Sequence, residues 1–471
     1  MPRRIANLGR MLAGLLVVLL LYLAGVQVIW GPRLTETAQN PRLAIAAQEV
    51  EWGRILDRRL TVLADSATLD GRQVRRYADG PSLAHLLGYR SVRFGLSGLE
   101  ARYDPQLLGL SSRDPWQALQ RALGRRTRGD DLVLTIDGAV QRAAARALDG
   151  SSGAVVAIDP RSGAILALAS GPGFDPARLD AAWPGLSGDP RAPLLDRATS
   201  GEYAPGSSFK PVVLAAAFAR GRITPESRVD CDASITVEGA VIRNFEREAY
   251  GKMTVRDAFA ASCNIAFVHI GLATGAAQIV AAARAFGLGR PPHFDLPTAA
   301  GHLPDPAALD ARGVAEISFG QGSLLVTPLQ MALVASAIAN RGVLMWPFVL
   351  SQVRAGDGRI LESYAERGSQ MVLPPAIDAE IVGAMVDAVA HGTGAAARIP
   401  GTTVAGKTGT AENPGGRTHA WFIAFAPAER PTVALAVLLE HGGVGGKTAA
   451  PAARRVLEAA LAAQADAGGR P

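Results

Sequence analysis

Two apolar runs near residue 160 and three more between residues 402 and 439 carry strand patterns, and the long block between them reads mostly as helix. One sheet assembled from both ends of this region lets every run bury an apolar side against a common core. The early pair, Gly153 to Ile158 and Ala164 to Ala169, is joined by Asp159-Pro160-Arg161-Ser162-Gly163, whose residues suit a hairpin turn. The late strands are expected over 402–407, 419–426 and 432–439, followed by an alanine-rich helix over 449–462. Upstream, Leu132 to Ile136 reads as a strand, and Asp137 can cap a helix through Leu148.

The N-terminus sets a second constraint. Arg3, Arg4 and Arg10 precede an uncharged stretch from Met11 to Trp30, a length that crosses a bilayer. Positive residues stay on the cytoplasmic side, so residues 1–10 are expected in the cytoplasm and everything after Gly31 outside. A cleavable signal peptide is the rival, but Leu23 before Ala24-Gly25 fits its cleavage pattern poorly, and we favour an uncleaved anchor. Trp30 suits an interfacial aromatic. Residues 31–129 are weakly patterned, with a turn at Asn40-Pro41-Arg42 and strand candidates at 60–63 and 91–94, and they read as a pedestal or docking domain. Residues 130–464 form the main domain, and 465–471 a disordered tail.

The net charge of +6 comes from scattered arginines, which excludes a nucleic-acid stripe. The run Arg125-Arg126-Thr127-Arg128 reads as polar linker. Seven scattered histidines and two cysteines have no metal-ligand spacing, so no metal and no organic cofactor is expected. Cys231 and Cys263 read as two buried small hydrophobes, with a disulfide the alternative outside the cytoplasm.

Chemistry concentrates in three strings: Ser207-Ser208-Phe209-Lys210, Ser262-Cys263-Asn264 and Lys407-Thr408-Gly409-Thr410. Only four of the 48 basic residues are lysines, Lys210, Lys252, Lys407 and Lys447, and two of them fall inside these strings. Arginine cannot deprotonate near neutral pH, whereas a buried lysine can, so an amine base requires lysine. With Pro205-Gly206 delivering Ser207 to a helix start, Lys210 lies one turn on and can share its face. A serine hydroxyl becomes a nucleophile when such a base takes its proton, and desolvation or a second cation such as Lys407 lowers the amine's pKa. Backbone N–H groups at that helix start can hold a developing oxyanion. Ser262 can relay a proton, Asn264 can hold a substrate amide, and Lys407 can face a substrate carboxylate. Gly409 leaves room for a peptide along the strand, where Thr410 offers its N–H. Each string alone is common; Lys447-Thr448, followed by Ala449, is a partial match without a role. The ordered set is specific.

With these motifs the chain resembles the class B penicillin-binding proteins, the monofunctional peptidoglycan D,D-transpeptidases. Arg197-Ala198, Tyr203 through Pro211, Phe319-Gly320-Gln321-Gly322, Thr327-Pro328-Leu329-Gln330, Gly392-Thr393-Gly394 and His419-Ala420-Trp421-Phe422 all fit that family, over residues 131–462. Asp196 and Ser208 stand where Asn and Thr are usual. Asn40-Pro41-Arg42 and Ser97-Gly98-Leu99-Glu100 are similar to the short pedestal of an actinobacterial-type subgroup. The resemblance implies an α/β (α+β) fold of the penicillin-binding transpeptidase and serine β-lactamase type, with a five-stranded antiparallel sheet flanked by helices, a small pedestal and one transmembrane helix. It implies Ser207 as nucleophile, Lys210 as base and Ser262 as relay. Asn264, Lys407, Thr408, Gly409 and Thr410 would bind substrate, and the N–H groups of Ser207 and Thr410 would form the oxyanion hole. Peptidoglycan stem peptides would be substrates, β-lactams covalent inhibitors, and a SEDS-type glycosyltransferase the membrane partner. Trp421 and His419 read as core aromatics before cleft walls. The alternatives are a D,D-carboxypeptidase or β-lactamase of the same fold, a non-catalytic scaffold for a polymerase, and a penicillin sensor. No Glu-x-x-Leu-Asn string for water activation occurs between Ser262 and Lys407, no cytoplasmic signalling domain is visible, and the motif residues are intact.

Overall fold

The computed structural model describes residues 2–25, 50–69, 72–110, 128–413 and 415–468. Trp30, the Asn40-Pro41-Arg42 turn and Arg125 to Thr127 lie outside them. Helix α1 (Pro2–Gly25) is followed by strands β1 (Ile55–Leu56), β2 (Val62–Leu69) and β3 (Arg72–Tyr77), then β4 (Asp131–Leu134) and helix α2 (Gly138–Leu148). The hairpin β5 (Gly153–Ile158) and β6 (Ile165–Gly171) comes next, and later helix α3 (Lys210–Ala219). Strands β7 (Arg228–Cys231), β8 (Ser234–Val237), β9 (Ala240–Arg243) and β10 (Gly251–Thr254) precede helices α4 (Val255–Ala260), α5 (Asn264–Thr274) and α6 (Pro328–Ala339). Strands β11 (Leu350–Arg354) and β12 (Ile360–Ser363) lead to β13 (Ala405–Ala411), β14 (His419–Ala426), β15 (Val433–Leu439) and the last helix, α7 (Ala449–Gly468).

The central sheet has the order β13-β14-β15-β5-β6, antiparallel throughout, so the two ends of the region do meet in one sheet. Alternation along each strand sorts its side chains between two cores. Ala420, Phe422 and Ala424 face α2 and α7, while Trp421, Ile423 and Phe425 face the helical block of α3 and α6. Both faces are covered, which explains why these strands read as continuous apolar runs.

Two ends differ from the sequence reading. The strand expected over 402–407 begins at Ala405 and runs on through Lys407-Thr408-Gly409-Thr410, because this Gly/Thr segment pairs residue for residue with β14. The final helix, expected to stop at 462, continues to Gly468, so the first part of the supposed tail is helical. Its Ala-Gln-Ala-Asp-Ala sequence favours helix enough to extend it. Between β6 and the turn ahead of α3 lies a further helix, Leu179–Gly188.

Strand β4 pairs parallel to β1, and β11 pairs with β4, giving a second sheet in the order β12-β11-β4-β1-β2-β3. The N-terminal region and the main domain therefore share a sheet across the expected boundary at 129/130. A buried polar node reinforces the joint: the Tyr103 hydroxyl donates to Asp295 at 2.6 Å, Val349 N donates to the same carboxylate at 2.6 Å, and Arg367 pairs with it at 2.7 Å. Removing the carboxylate leaves the buried Tyr103 hydroxyl and Val349 N–H unpaired and deprives the partly exposed Arg367 of its partner. We expect Asp295→Ala to lower unfolding free energy by about 3–5 kcal/mol, measured by denaturant titration, with a much smaller change for Asp357→Ala at an exposed pair.

Candidate active site

The turn that carries Ser207 is a single 3₁₀ turn, Gly206–Phe209, running directly into α3 with Pro211 in the first helical turn. Its approach is fixed from outside: the Tyr203 hydroxyl donates to Glu440 at 2.6 Å, Arg197 pairs with Glu440 at 2.8 Å, and the Trp421 indole donates to Ala204 O at 3.0 Å. Trp421 is fully buried, as the core reading expected, and His419 is half-buried beside it. Ser208, the unusual residue of the motif, donates to Pro205 O at 2.7 Å. Glycine is needed where the turn meets β13. A Cβ on Gly409 would stand 2.8 Å from Pro205 O, and one on Gly320 only 2.0 Å from Gly206 O. Gly409 thus lets the nucleophile turn itself close on the strand.

The second string lies between α4 and α5. Thr254 caps α4, and after it ends the chain turns sharply at Ser262, whose φ is +60°, a left-handed conformation unusual for serine. Cys263 then occupies the N-cap of α5. It is bonded to Cys231 of β7, with 6.3 Å between their Cα atoms. The expectation of two separate hydrophobic thiols is corrected here: they are buried, as expected, but joined. Sequence spacing gave no distance, and the pairing depends on β7 packing under α5.

Both motif lysines converge on Ser262. Lys210 Nζ donates to Ser262 O at 2.7 Å, to Asn264 Oδ1 at 3.0 Å and more distantly to Ser262 Oγ at 3.4 Å. Lys407 Nζ donates to Ser262 Oγ at 2.8 Å and to Thr408 O at 3.1 Å. Both side chains are 0% exposed. Lys407, expected to face a substrate carboxylate, is therefore held beneath the cleft and reaches it through Ser262 and Thr408. The two ammonium positions sit against aromatic rings, Lys210 at 4.9 Å from the Phe267 centroid and Lys407 at 5.5 Å from that of Phe259. Burial, and then the charge of Lys407, hold the Lys210 pKa well below that of an ordinary amine. Burial lowers Lys407 to about 7. Among the described residues, no hydrogen bond engages the Ser207 hydroxyl, which is left to face the cleft. That cleft encloses about 1140 Å³, and Ser207, Ser262, Asn264, Thr408 and Thr410 all line it. A free hydroxyl on the wall of a cleft, a second hydroxyl beside it and two buried amines with lowered pKa values below can support nucleophilic acyl transfer.

The family described as "Penicillin binding protein transpeptidase domain" matches residues 153–458, and "Penicillin binding protein A dimerisation domain" matches residues 52–132. The chain belongs to the class B penicillin-binding proteins. The peptidoglycan D,D-transpeptidase PbpA of Mycobacterium tuberculosis is 36% identical, covering 95% of this chain and 96% of its own length. The PbpA of Mycolicibacterium smegmatis is 35% identical, covering 97% and 99%. The penicillin G acyl-enzyme complex of M. tuberculosis penicillin-binding protein A superposes with a TM-score of 0.82 at 36% identity, covering 87% of this chain and 99% of that one.

Three supports of this penicillin-binding site were not assigned from sequence. Thr393 and Thr408 share a 2.6 Å hydroxyl–hydroxyl hydrogen bond, which ties the Gly392-Thr393-Gly394 block to β13. Phe267 and Phe259 set their rings against Lys210 and Lys407. Asn244, 6% exposed and ahead of the second motif by 18 residues, carried no signal at all.

The amine geometry has a pH consequence. Neutral Lys210 is the form that accepts a proton, so penicillin acylation should rise with pH through its depressed pKa and then level off. Lys407→Ala removes the second cause of that depression. The acid limb of the acylation profile is then expected to move to higher pH, as read by stopped-flow acylation between pH 5 and 10.

Proposed function

We propose that this protein is a membrane-anchored peptidoglycan D,D-transpeptidase acting through a Ser207 acyl-enzyme. The observation that carries the reading is the convergence of two buried, pKa-lowered lysines on Ser262 at the floor of the cleft that Ser207 lines. Ser207 Oγ attacks the carbonyl of the penultimate D-alanine of a stem peptide, and its proton passes to Lys210 as the new C–O bond forms. The Ser207 and Thr410 N–H groups stabilise the oxyanion. Ser262 returns a proton to the departing D-alanine nitrogen as the peptide bond breaks. An amine of a neighbouring stem then attacks the ester, frees Ser207 and leaves a new peptide cross-link. Asn264 positions the substrate amide, and the Thr408 and Thr410 hydroxyls meet its terminal carboxylate, with Lys407 supplying positive charge from below. A β-lactam follows the first half of this course, its ring amide opening onto Ser207.

Helix α1, with an apolar window over Ala6–Leu23, supports a single span near the N-terminus. Arg3 and Arg4, in the first turns of α1 ahead of that window, support a cytoplasmic N-terminus and an extracytoplasmic catalytic domain. A SEDS-type glycosyltransferase contacting α1 and the pedestal is the partner we infer, on the family resemblance alone.

Intact-mass analysis of the full-length protein after penicillin exposure tests the reaction. The expected result is one long-lived adduct that maps to Ser207 and is lost in Ser207→Ala. Lys210→Arg, which keeps the charge but cannot supply a neutral amine, should acylate about 10²–10⁴-fold more slowly. Rapid release of hydrolysed drug would make the enzyme a hydrolase instead.

A further inference from the structure

The Ser262-Cys263-Asn264 loop has an awkward local structure. Ser262 sits at φ +60°, which costs a non-glycine residue energy unless its surroundings hold it. A helix start leaves several backbone N–H groups without partners. The α5 N-cap is a cysteine, whose sulfur is a weak acceptor and takes only Ala266 N, at 3.2 Å. The N–H groups of Asn264 and Ile265 remain, and neither is satisfied from within the helix.

Both are taken by one side chain. Asn244, immediately after β9, accepts from Asn264 N at 2.8 Å and from Ile265 N at 3.2 Å through Oδ1. Its Nδ2 donates to Asp232 O at 2.8 Å and Glu248 O at 2.9 Å. The oxygen meets two N–H donors and lies 3.5 Å from Cys263 Sγ, while the nitrogen meets two carbonyls and Cys231 Sγ at 3.5 Å, so the amide has one consistent orientation. All its strong hydrogen-bonding capacity is spent joining the β9 exit, the segment after β7 and the catalytic loop. Asn264 reciprocates by donating from Nδ2 to Arg243 O at 3.2 Å, next to Asn244. Asn264 Oδ1 and Ser262 O are the acceptors that hold Lys210.

We propose that the Asn244 carboxamide is a positioning residue for acyl transfer, holding the Ser262–Asn264 loop so that its oxygens meet Lys210 and Lys407. The proposal rests on the transpeptidase reading. Asn244 does not touch the reacting atoms. It sets the proton path through Ser262, so its loss falls on the chemical step more than on encounter with the drug. The Cys231–Cys263 bond fastens the same loop to the same neighbourhood, since Asp232 follows Cys231.

The test is stopped-flow acylation of the full-length enzyme by penicillin, resolved into non-covalent affinity and the acylation rate constant. Asn244→Leu fills the space without hydrogen bonds. It should lower the acylation rate constant about 10–100-fold and change affinity less than about threefold. Asn244→Asp keeps the acceptor for both N–H groups but loses the donors to Asp232 O and Glu248 O, so its rate should fall between those of wild type and Asn244→Leu. Three results overturn the proposal: a wild-type rate in Asn244→Leu, a loss confined to affinity, or an Asn244→Asp rate below that of Asn244→Leu. If Asn244→Leu does not fold, Asn244→Asp decides alone, and a wild-type rate or a loss confined to affinity overturns it. A wild type that forms no adduct sinks the transpeptidase reading and this inference with it, whereas equal rates in wild type and Asn244→Leu sink only the inference.

Discussion

Two lysine amines are withdrawn from water at one point in the protein, and most of the surrounding structure answers that demand. A fully buried ammonium costs several kcal/mol, and two near each other cost more, so the site favours giving up protons. What remains is supported by Ser262 and Asn264 oxygens and by the faces of Phe259 and Phe267. Arginine in either position would stay charged, which gives a physical reason for the two lysines in an arginine-rich chain. The chemistry thus depends on burial that a surface motif of the same composition would lack.

Holding those amines in register requires three distant segments to be rigid together. The central sheet provides one reference, with β13 covered by β14 along its full length. The nucleophile turn is pressed onto β13 where Gly206 and Gly409 meet, and Gly320 closes on the other side. The second motif has no strand of its own. Backbone bonds from Ser262 N to Phe259 O and from Cys263 N to Ala258 O hold it to α4, and the disulfide and Asn244 tie it to the neighbouring strands.

Much of this was legible in the sequence because it is local. The hairpin around Asp159 to Gly163, the cap at Asp137 and the apolar runs of the central sheet are all written in short windows. The three strings were legible as chemistry because serine, lysine and asparagine at those spacings are informative together. What could not be read depends on long-range packing. Lys407 looked like a cation facing substrate because strand alternation does not reveal what lies beneath the cleft. Cys231 and Cys263 are separated by 32 residues, and only the seating of β7 against α5 brings them to bonding distance. Asn244 follows a hairpin and resembles any turn residue; its importance comes from two N–H groups that a cysteine cap leaves unmet.

The sheet shared across the N-terminal and main regions bears on how such proteins can be recombined. Residues 50–134 look like a portable module in the linear sequence, yet β11 and β12, from residues 350–363, complete their sheet. A graft of the N-terminal portion alone onto a relative would meet a foreign strand at β4 and lose the Tyr103–Asp295 contact unless the recipient supplied its equivalent. Exchange between family members is therefore constrained to carry the 350–363 ribbon along, and the two halves are expected to have changed in concert rather than been shuffled independently.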